Sequence, residues 1–461
     1  MMLKGYHNSR GAAALSLTLI GCLSSPARPT SSDGGSTPDA AWSDGRSSDA
    51  LLVTDAAVDA NAVVATPWPP AGVTLNITKG WAGDINDDGI DDVILLNETG
   101  NSGTNGVYVL LGQPGARATH YHQFLATGDR NPVALTLSDL DGNGMLDLIV
   151  FAMKFGPVMP DDNDGYLQAY MNDGPLFADT PLVNWLSPGI NMSWQILFNP
   201  GAPAHLFTAR LTAGSVPSII GVHERGGFKL SLPSWSGSNF TTESVQMLTD
   251  ARQTGGAAVV NLANAGVDDL ILWTDEANTV TWLVNDGSGN LSPTAPNGRT
   301  GTRGPIFGAL WDMDGTPPLD VIGALQTEIN AFPVDTDAGT ETATYLGQTY
   351  ITGVDSATAM LVFDSDASDP RPEIMISSPA CVMFSNNACL FLIRNAYING
   401  TTGELDSPSG PGQYELPSGF ETRVMVRGDF DDDDNPEVLL FAANGDVACA
   451  RVADGVFSAC N

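Results

Sequence analysis

The stretch Asp84-Ile85-Asn86-Asp87-Asp88-Gly89-Ile90-Asp91-Asp92 runs directly into the apolar Val93-Ile94-Leu95-Leu96. Side-chain oxygens stand at positions one, three, five and nine of this tight loop, on Asp84, Asn86, Asp88 and Asp92. That is the ligand set of a hard cation such as calcium, with the backbone carbonyl of position seven completing it. The aliphatic and β-branched residues that follow favour an extended chain. The phrase therefore reads as a metal loop that opens a strand.

The phrase recurs to the end of the chain. Asp139, Asp141, Asn143 and Asp147 form a second full copy, with Gly144 at position six, and lead into Leu148-Ile149-Val150-Phe151. Asp429, Asp431, Asp433 and Glu437 form a third, leading into Val438-Leu439-Leu440-Phe441, with Asp434 where the loop glycine is expected. Aspartate enters the left-handed region more readily than most residues, so that exchange is tolerable. Asp312, Asp314 and Asp320 keep positions one, three and nine, with the glycine shifted to Gly315. Asp364 and Asp366 begin a copy whose last acid, Glu373, comes one residue late. From Asn261 to Asp269 the glycine and the last acid survive, but Ala263 and Ala265 replace two ligands. Ala209 through Gly214 to Pro217 matches that copy in length and apolar pattern and carries no carboxylate. The copies start at 84, 139, 209, 261, 312, 364 and 429, with spacings of 55, 70, 52, 51, 52 and 65 residues. Such a period is the signature of a repeat architecture.

Each repeat holds more than its loop. A second alternating run follows, as in Gly106 to Leu111, Tyr166 to Tyr170, Thr279 to Leu283 and Leu390 to Ile393. Turns such as Asn172-Asp173-Gly174 and Asn285-Asp286-Gly287 come next, and their residues accept the positive φ of hairpins. Fifty glycines and thirty prolines, with only 19 lysines and arginines, fit many turns and short strands rather than helices. Four strands in about 50 residues is the size of a propeller blade. EF-hands use similar ligand spacing but flank it with helices, whereas strands flank it here. As plain turn formers, Asp139, Asp141, Asn143 and Asp147 together would crowd like charges that repel without a cation.

The phrase D-x-[DN]-x-[DN]-G-x-x-D, then an apolar strand, then a run ending in Asn-Asp-Gly, resembles the FG-GAP and VCBS repeats of integrin-α-type β-propellers. The resemblance covers residues 71–461, in full at 84 and 139, well at 429 and in part elsewhere. It implies an all-β fold, a seven-bladed β-propeller of four-stranded blades, with structural Ca2+ held in hairpin loops on one face.

The first 21 residues read as an address. Lys4 and Arg10 precede an apolar stretch from Gly11 to Gly21 that is too short to span a bilayer. Leu19-Ile20-Gly21-Cys22 resembles the lipobox of bacterial lipoproteins, which implies acylation at Cys22. Residues 22–70 are rich in Ser, Asp, Ala, Thr and Pro without a sustained apolar period, and read as a disordered acidic tether. Trp42 and Trp68 in it are incidental, or dock near the edge of the body. The expected location is the bacterial cell envelope, at the outer membrane, with the lipid as the one membrane contact. Beyond Cys22 the cysteines fall into two close pairs, Cys381 with Cys389 and Cys449 with Cys460. In an exported chain they predict two local disulfides, and their spacing does not fit a zinc site.

A formal charge of −34 excludes nucleic acid as a natural partner, since phosphate binding needs a basic surface. No Gly-x-Ser-x-Gly elbow, phosphate-binding Gly-Lys loop or His-Glu-x-x-His helix is present. His120 and His122 alternate and could share a face as metal ligands, although a solvent-facing pair is the commoner arrangement. The acid pairs are accounted for by the loops, so they do not argue for a glycosidase. Most tryptophans fit blade packing, with Trp194 and Trp235 the candidates for stacking on sugars. The sequence thus points to a binding or adhesion module for a glycan or protein. A lyase or hydrolase acting on polysaccharide is the alternative.

Overall fold

The computed structural model describes most residues from Thr66 to Cys460. Residues 1–65, 154–164, 186–204, 232–243, 249–253, 261–266, 300–306, 312–319, 336–341, 351–356, 366–370, 382–386, 399–404 and 408–411, with shorter loop pieces, lie outside the described residues. The leader, Cys22, nearly all of the tether, Asp312, Asp314, Asp366, Trp194 and Trp235 fall there.

Among the described residues every regular element is a strand. Four-stranded antiparallel sheets follow one another in chain order. The first is Ile77–Gly83, Asp92–Asn97, Gly106–Leu110 and Gln123–Ala126. The second is Asn131–Ser138, Asp147–Met153, Gly165–Tyr170 and Val183–Trp185. The third is His205–Ala209, Ser218–His223, Gly226–Ser231 and Ser244–Leu248. The fourth is Thr254–Val260, Asp269–Thr274, Thr279–Asn285 and Leu291–Pro293, with Asn297–Arg299 added beside its third strand. The fifth is Phe307–Trp311, Asp320–Ala324, Glu328–Phe332 and Leu346–Tyr350. The sixth is Ala359–Phe363, Glu373–Cys381, Asn387–Ile393 and Gly412–Glu415. The last is Thr422–Gly428, Glu437–Ala442, Val447–Ala453 and Val456–Ala459.

The apolar run after each acidic loop becomes the second strand, and its burial explains its composition. All six residues of Asp92–Asn97 and of Glu437–Ala442 are buried. A continuous apolar run, rather than an alternating one, suits a strand covered on both faces. Successive side chains point to opposite faces, and here the two faces meet different neighbours. Val93 and Leu95 pack with Val424, Val426, Leu439 and Phe441 of the last sheet. Ile94 and Leu96 pack with Leu137, Leu148 and Val150 of the second. Similar clusters join the third sheet to the fourth, the fifth to the sixth, and the sixth to the last. Each fully buried Ile, Leu or Val side chain contributes about 1.5–3 kcal/mol, so these faces hold neighbouring sheets together.

The first strands also touch in succession. Asn131–Ser138 meets His205–Ala209, which meets Thr254–Val260, which meets Phe307–Trp311. Phe307–Trp311 meets Ala359–Phe363, which meets Thr422–Gly428, and that strand returns to Ile77–Gly83. Sheets stacked radially around a common axis in this way make a β-propeller.

The strand that follows Gly72, Ile77–Gly83, belongs to the first sheet and not to the last. The last sheet takes its four strands from consecutive sequence, and Ile77–Gly83 pairs inside the first sheet. The segment before Ile77 instead braces the junction. Thr66–Pro67 pairs with His120–Tyr121, and the Trp68 indole N–H donates to the Gly445 carbonyl at 2.9 Å. Trp68 also sits edge-on to Tyr108, Tyr121 and Phe441. Trp68 is therefore a docking residue at the edge of the body. Cys449 and Cys460 form a disulfide. Cys389 is disulfide-bonded as well, on a strand that sets it opposite Ser378 of the strand ending at Cys381.

Candidate metal loops and the joints between sheets

Each acidic loop links the first strand of a sheet to its second, and the register is the same throughout. The last residue of the first strand pairs with the ninth position of the loop: Gly83 with Asp92, Ser138 with Asp147, Val260 with Asp269, Trp311 with Asp320, and Gly428 with Glu437. Phe363 pairs with Glu373, so the extra residue of that copy is absorbed inside the loop. In the third sheet Ala209 pairs with Ser218. Position one there is Arg210, one residue later than the sequence pattern suggested, because apolar periodicity does not mark where a strand stops.

The loops turn through left-handed residues. Gly89 and Gly144 at position six have φ of 89° and 92°. Position four does the same, with Asp87 at 59°, Gly142 at 80° and Asp432 at 59°. Positive φ is costly for residues other than glycine, asparagine and aspartate, which limits what position four can hold.

Among the described side chains the ninth acid is buried, and its oxygens serve the backbone. One Asp92 oxygen accepts the N–H of Ile85 at 3.0 Å and the other that of Gly112 at 2.8 Å. Asp147 accepts from Leu140 and Asn172, both at 2.8 Å. Asp269 accepts from Asn285 at 2.7 Å, and Glu373 from Ser365 at 2.7 Å. This acid ties position two of its loop to the turn after the third strand. Desolvation pushes the Asp92 carboxyl up to about 7 and Asp147 up to about 6, against the backbone bonds that favour their charged forms.

The outer loop acids fold back in the same way. Asp84 accepts from the N–H groups of Asp88 and Gly89, at 3.2 and 2.8 Å. Asp139 accepts from Gly142, Asn143 and Gly144. The second loop nonetheless fits a hard cation. Asp139, Asp141 and Asp147 each present one oxygen, all within 4.8 Å of one another. Oxygens bound at 2.3–2.6 Å to one Ca2+ span about that separation. A carboxylate oxygen that already accepts one N–H keeps a lone pair for the ion. Asp429, Asp431 and Asp433 converge equally closely, but a guanidinium lies among them. Arg451 Nη2 bonds both Asp431 oxygens at 3.3 and 3.2 Å and Asp433 at 2.5 Å. Its Nε and Nη2 both reach Glu437 Oε1, the Nε at 2.8 Å. The hydrogen bond to Glu437, opposed by desolvation and reinforced by Asp433, holds the guanidinium above its usual range.

Position eight and the third-strand end make joints between sheets, which the sequence pattern did not suggest. The Asn172 carboxamide donates to Ile85 O of the first sheet's loop at 2.7 Å and to Leu146 O of its own at 3.3 Å. Asn285 repeats this, donating to Leu211 O of the third sheet's loop and to Asp268 O of its own. Asp268 N–H donates to Arg210 O at 2.7 Å, while its carboxylate accepts the Arg210 N–H. Asp91 and Asp429 make the same reciprocal pair between the first and last sheets, both bonds at 2.9 Å. At that seam Gly112 stands where Asn172 and Asn285 stand, and a Cβ there would lie 2.4 Å from Asp91 O. The Gln113 N–H donates to Phe430 O in place of a carboxamide. A recurring Asn-Asp-Gly and an acid beside the ninth position were the available signals.

His122 has a structural use. Its Nδ1 accepts the Leu111 N–H at 3.1 Å and its Nε2 pairs with the Gln113 carboxamide at 2.9 Å. Desolvation, with His120 nearby, lowers its pKa.

Residues 84–150 match the family model for FG-GAP-like repeats. This segment is an FG-GAP-like repeat on a β-propeller. The match runs from the first residue of the first loop to the middle of Asp147–Met153, across the two copies that keep both every ligand position and the loop glycine. No curated protein matches the chain. Among solved structures the fold is similar to the BP39L lectin from Burkholderia pseudomallei, at 14% identity and a TM-score of 0.55, covering 84% of this chain and 98% of that one. It is also similar to BBS1N, solved in complex with ARL6DN, at 13% identity and a TM-score of 0.50, covering 84% and 95%. No helix among the described residues is long and apolar enough to cross a membrane.

Proposed function

We propose that this FG-GAP-like chain is a calcium-stabilised binding or adhesion module on a seven-bladed propeller, exported and held to the bacterial envelope by a lipid on Cys22, with a glycan or protein as ligand. One observation carries the reading. The acids of the repeated loops are engaged by backbone amides of their own and adjoining turns, as Asp92 is by Ile85 and Gly112. That is a structural use, and it leaves recognition to the loops at the opposite ends of the strands. Seven blades are supported by the joint between first and last sheets, where Asp91 and Asp429 repeat the pairing of Asp268 and Arg210. Calcium in the loops at 84 and 139 is supported by all-oxygen donor sets and, in the second, by carboxylates within 4.8 Å of one another. The two structures of similar fold, a lectin and a propeller in complex with ARL6DN, support a glycan or a protein as the kind of ligand.

The test is retention without turnover. The purified chain is applied to a glycan array and to envelope polysaccharides, and the eluates are assayed for new reducing ends or unsaturated sugars. Binding with unchanged ligand is expected, and product formation overturns the reading in favour of a lyase or hydrolase. For calcium, the melting temperature is expected to fall on chelation, because an ion that binds only the folded state stabilises it.

A further inference from the structure

The acidic loops differ in one respect that their ligand spacing hides. Where the ninth position is aspartate, the third strand faces it with an apolar residue. Leu110 pairs with Val93, Tyr170 with Leu148 and Leu283 with Leu270. One step further along these registers, Leu111 stands opposite Asp92, Met171 opposite Asp147 and Val284 opposite Asp269. Where the ninth position is glutamate, the facing residue is arginine. Glu437 pairs with Arg451, and one step beyond the pairing of Ile374 with Ile393, Glu373 stands opposite Arg394. The longer acid and a cationic side chain thus occur together in both copies.

We propose that Arg451 takes the place of the divalent cation in the loop from Asp429 to Glu437, so that this loop closes without metal. The guanidinium bonds Asp431, Asp433 and Glu437 together, and Glu437 is fully buried. A planar fork with five donors can satisfy several carboxylates at once, and its positive charge removes the repulsion that crowded acids would otherwise suffer. Glutamate supplies the added methylene that lets a ninth-position carboxylate meet a guanidinium from the facing strand. The consequence falls on the ring. Asp429 also forms the seam with Asp91, so the junction between first and last sheets stays joined when metal is withdrawn. At Glu373 the facing arginine does not close the loop in this way, since the Arg394 guanidinium donates to Tyr414 Oη and Glu373 accepts from the Ser365 N–H.

The experiment is a Ca2+ titration by calorimetry on the chelator-stripped full chain. Arg451→Gln is expected to bind one more Ca2+ than the parent chain, since it frees the acids it had engaged. Asp433→Asn, a change at an exposed side chain, is expected to leave the parent stoichiometry unchanged. A fall of one ion in Asp433→Asn, or no gain in a folded Arg451→Gln, overturns the proposal. Hydrogen exchange gives a reading that does not depend on the variants. Chelation is expected to leave peptides over 429–437 as protected as before, and loss of protection there refutes the proposal. The wider reading of calcium in the second loop is checked separately by Asp141→Asn, which is expected to lower the stoichiometry by one.

Discussion

Replacing Asp92 by alanine distinguishes a ligand from a structural joint. The carboxylate is fully buried and accepts the N–H groups of Ile85 and Gly112 at 3.0 and 2.8 Å. Alanine leaves both amides buried without an acceptor, and at about 1–3 kcal/mol for each orphaned group the cost is about 2–6 kcal/mol. Asparagine keeps one acceptor oxygen and turns an N–H against the other donor, so its cost falls near half of that. A repeat array need not unfold in one step, which makes local hydrogen exchange the better assay. A loss of about 3 kcal/mol speeds exchange through opening by about a hundredfold, at roughly tenfold per 1.4 kcal/mol. The measurement is made in chelator, on peptides spanning Ile85 and Gly112. The reasoning expects the Asp92→Ala defect to persist there, and to exceed that of Asp88→Ala, whose side chain is exposed. If Asp92 acted only as a ligand, parent and variant would exchange alike once metal is gone, and the joint would be refuted.

Three further outcomes follow from the same contacts. Asn172→Ala removes a carboxamide that spans two sheets and is expected to cost about 1–3 kcal/mol, seen as a lower denaturation midpoint; an unchanged midpoint would discount the bridge. Burial draws the Lys79 ammonium down to about 7, against the pull of Glu98. Between about 7 and 10.5 the folded chain then binds fewer protons than the unfolded one, so stability rises with pH across that window and this contribution is gone below about 7. Melting curves of Lys79→Met are expected to lack that component, and a parallel pH profile would count against it. Cys449→Ser with Cys460→Ser opens a loop of sequence separation 11. By the chain-entropy model the double variant loses about 3 kcal/mol, read as a lower midpoint under non-reducing conditions.

Much of the scaffold was legible because its signals are local. The run Val93 to Leu96 marks a strand buried on both faces, and Gly89 and Gly144 mark left-handed turns, which each residue type expresses within a few positions. In the third sheet the loop starts at Arg210 rather than Ala209, since apolar periodicity does not mark where a strand stops. The docking of Trp68 was not legible, because it is isolated in a polar stretch and its partners Tyr108 and Phe441 are far away in sequence.

What the sequence determined by itself is the unit: an acidic loop of fixed ligand spacing, the buried strand after it, and their recurrence along the chain. Those features arise from short-range sterics, hydrogen bonding and the alternation of side chains across a strand. Only the tertiary structure decided what the acids do. Asp91 meets Asp429 across 338 residues, and Asn172 reaches Ile85 across 87. Arg451 enters a loop whose first acid lies 22 positions earlier in the chain. Such pairings depend on how sheets stack around the axis, and no local pattern encodes them.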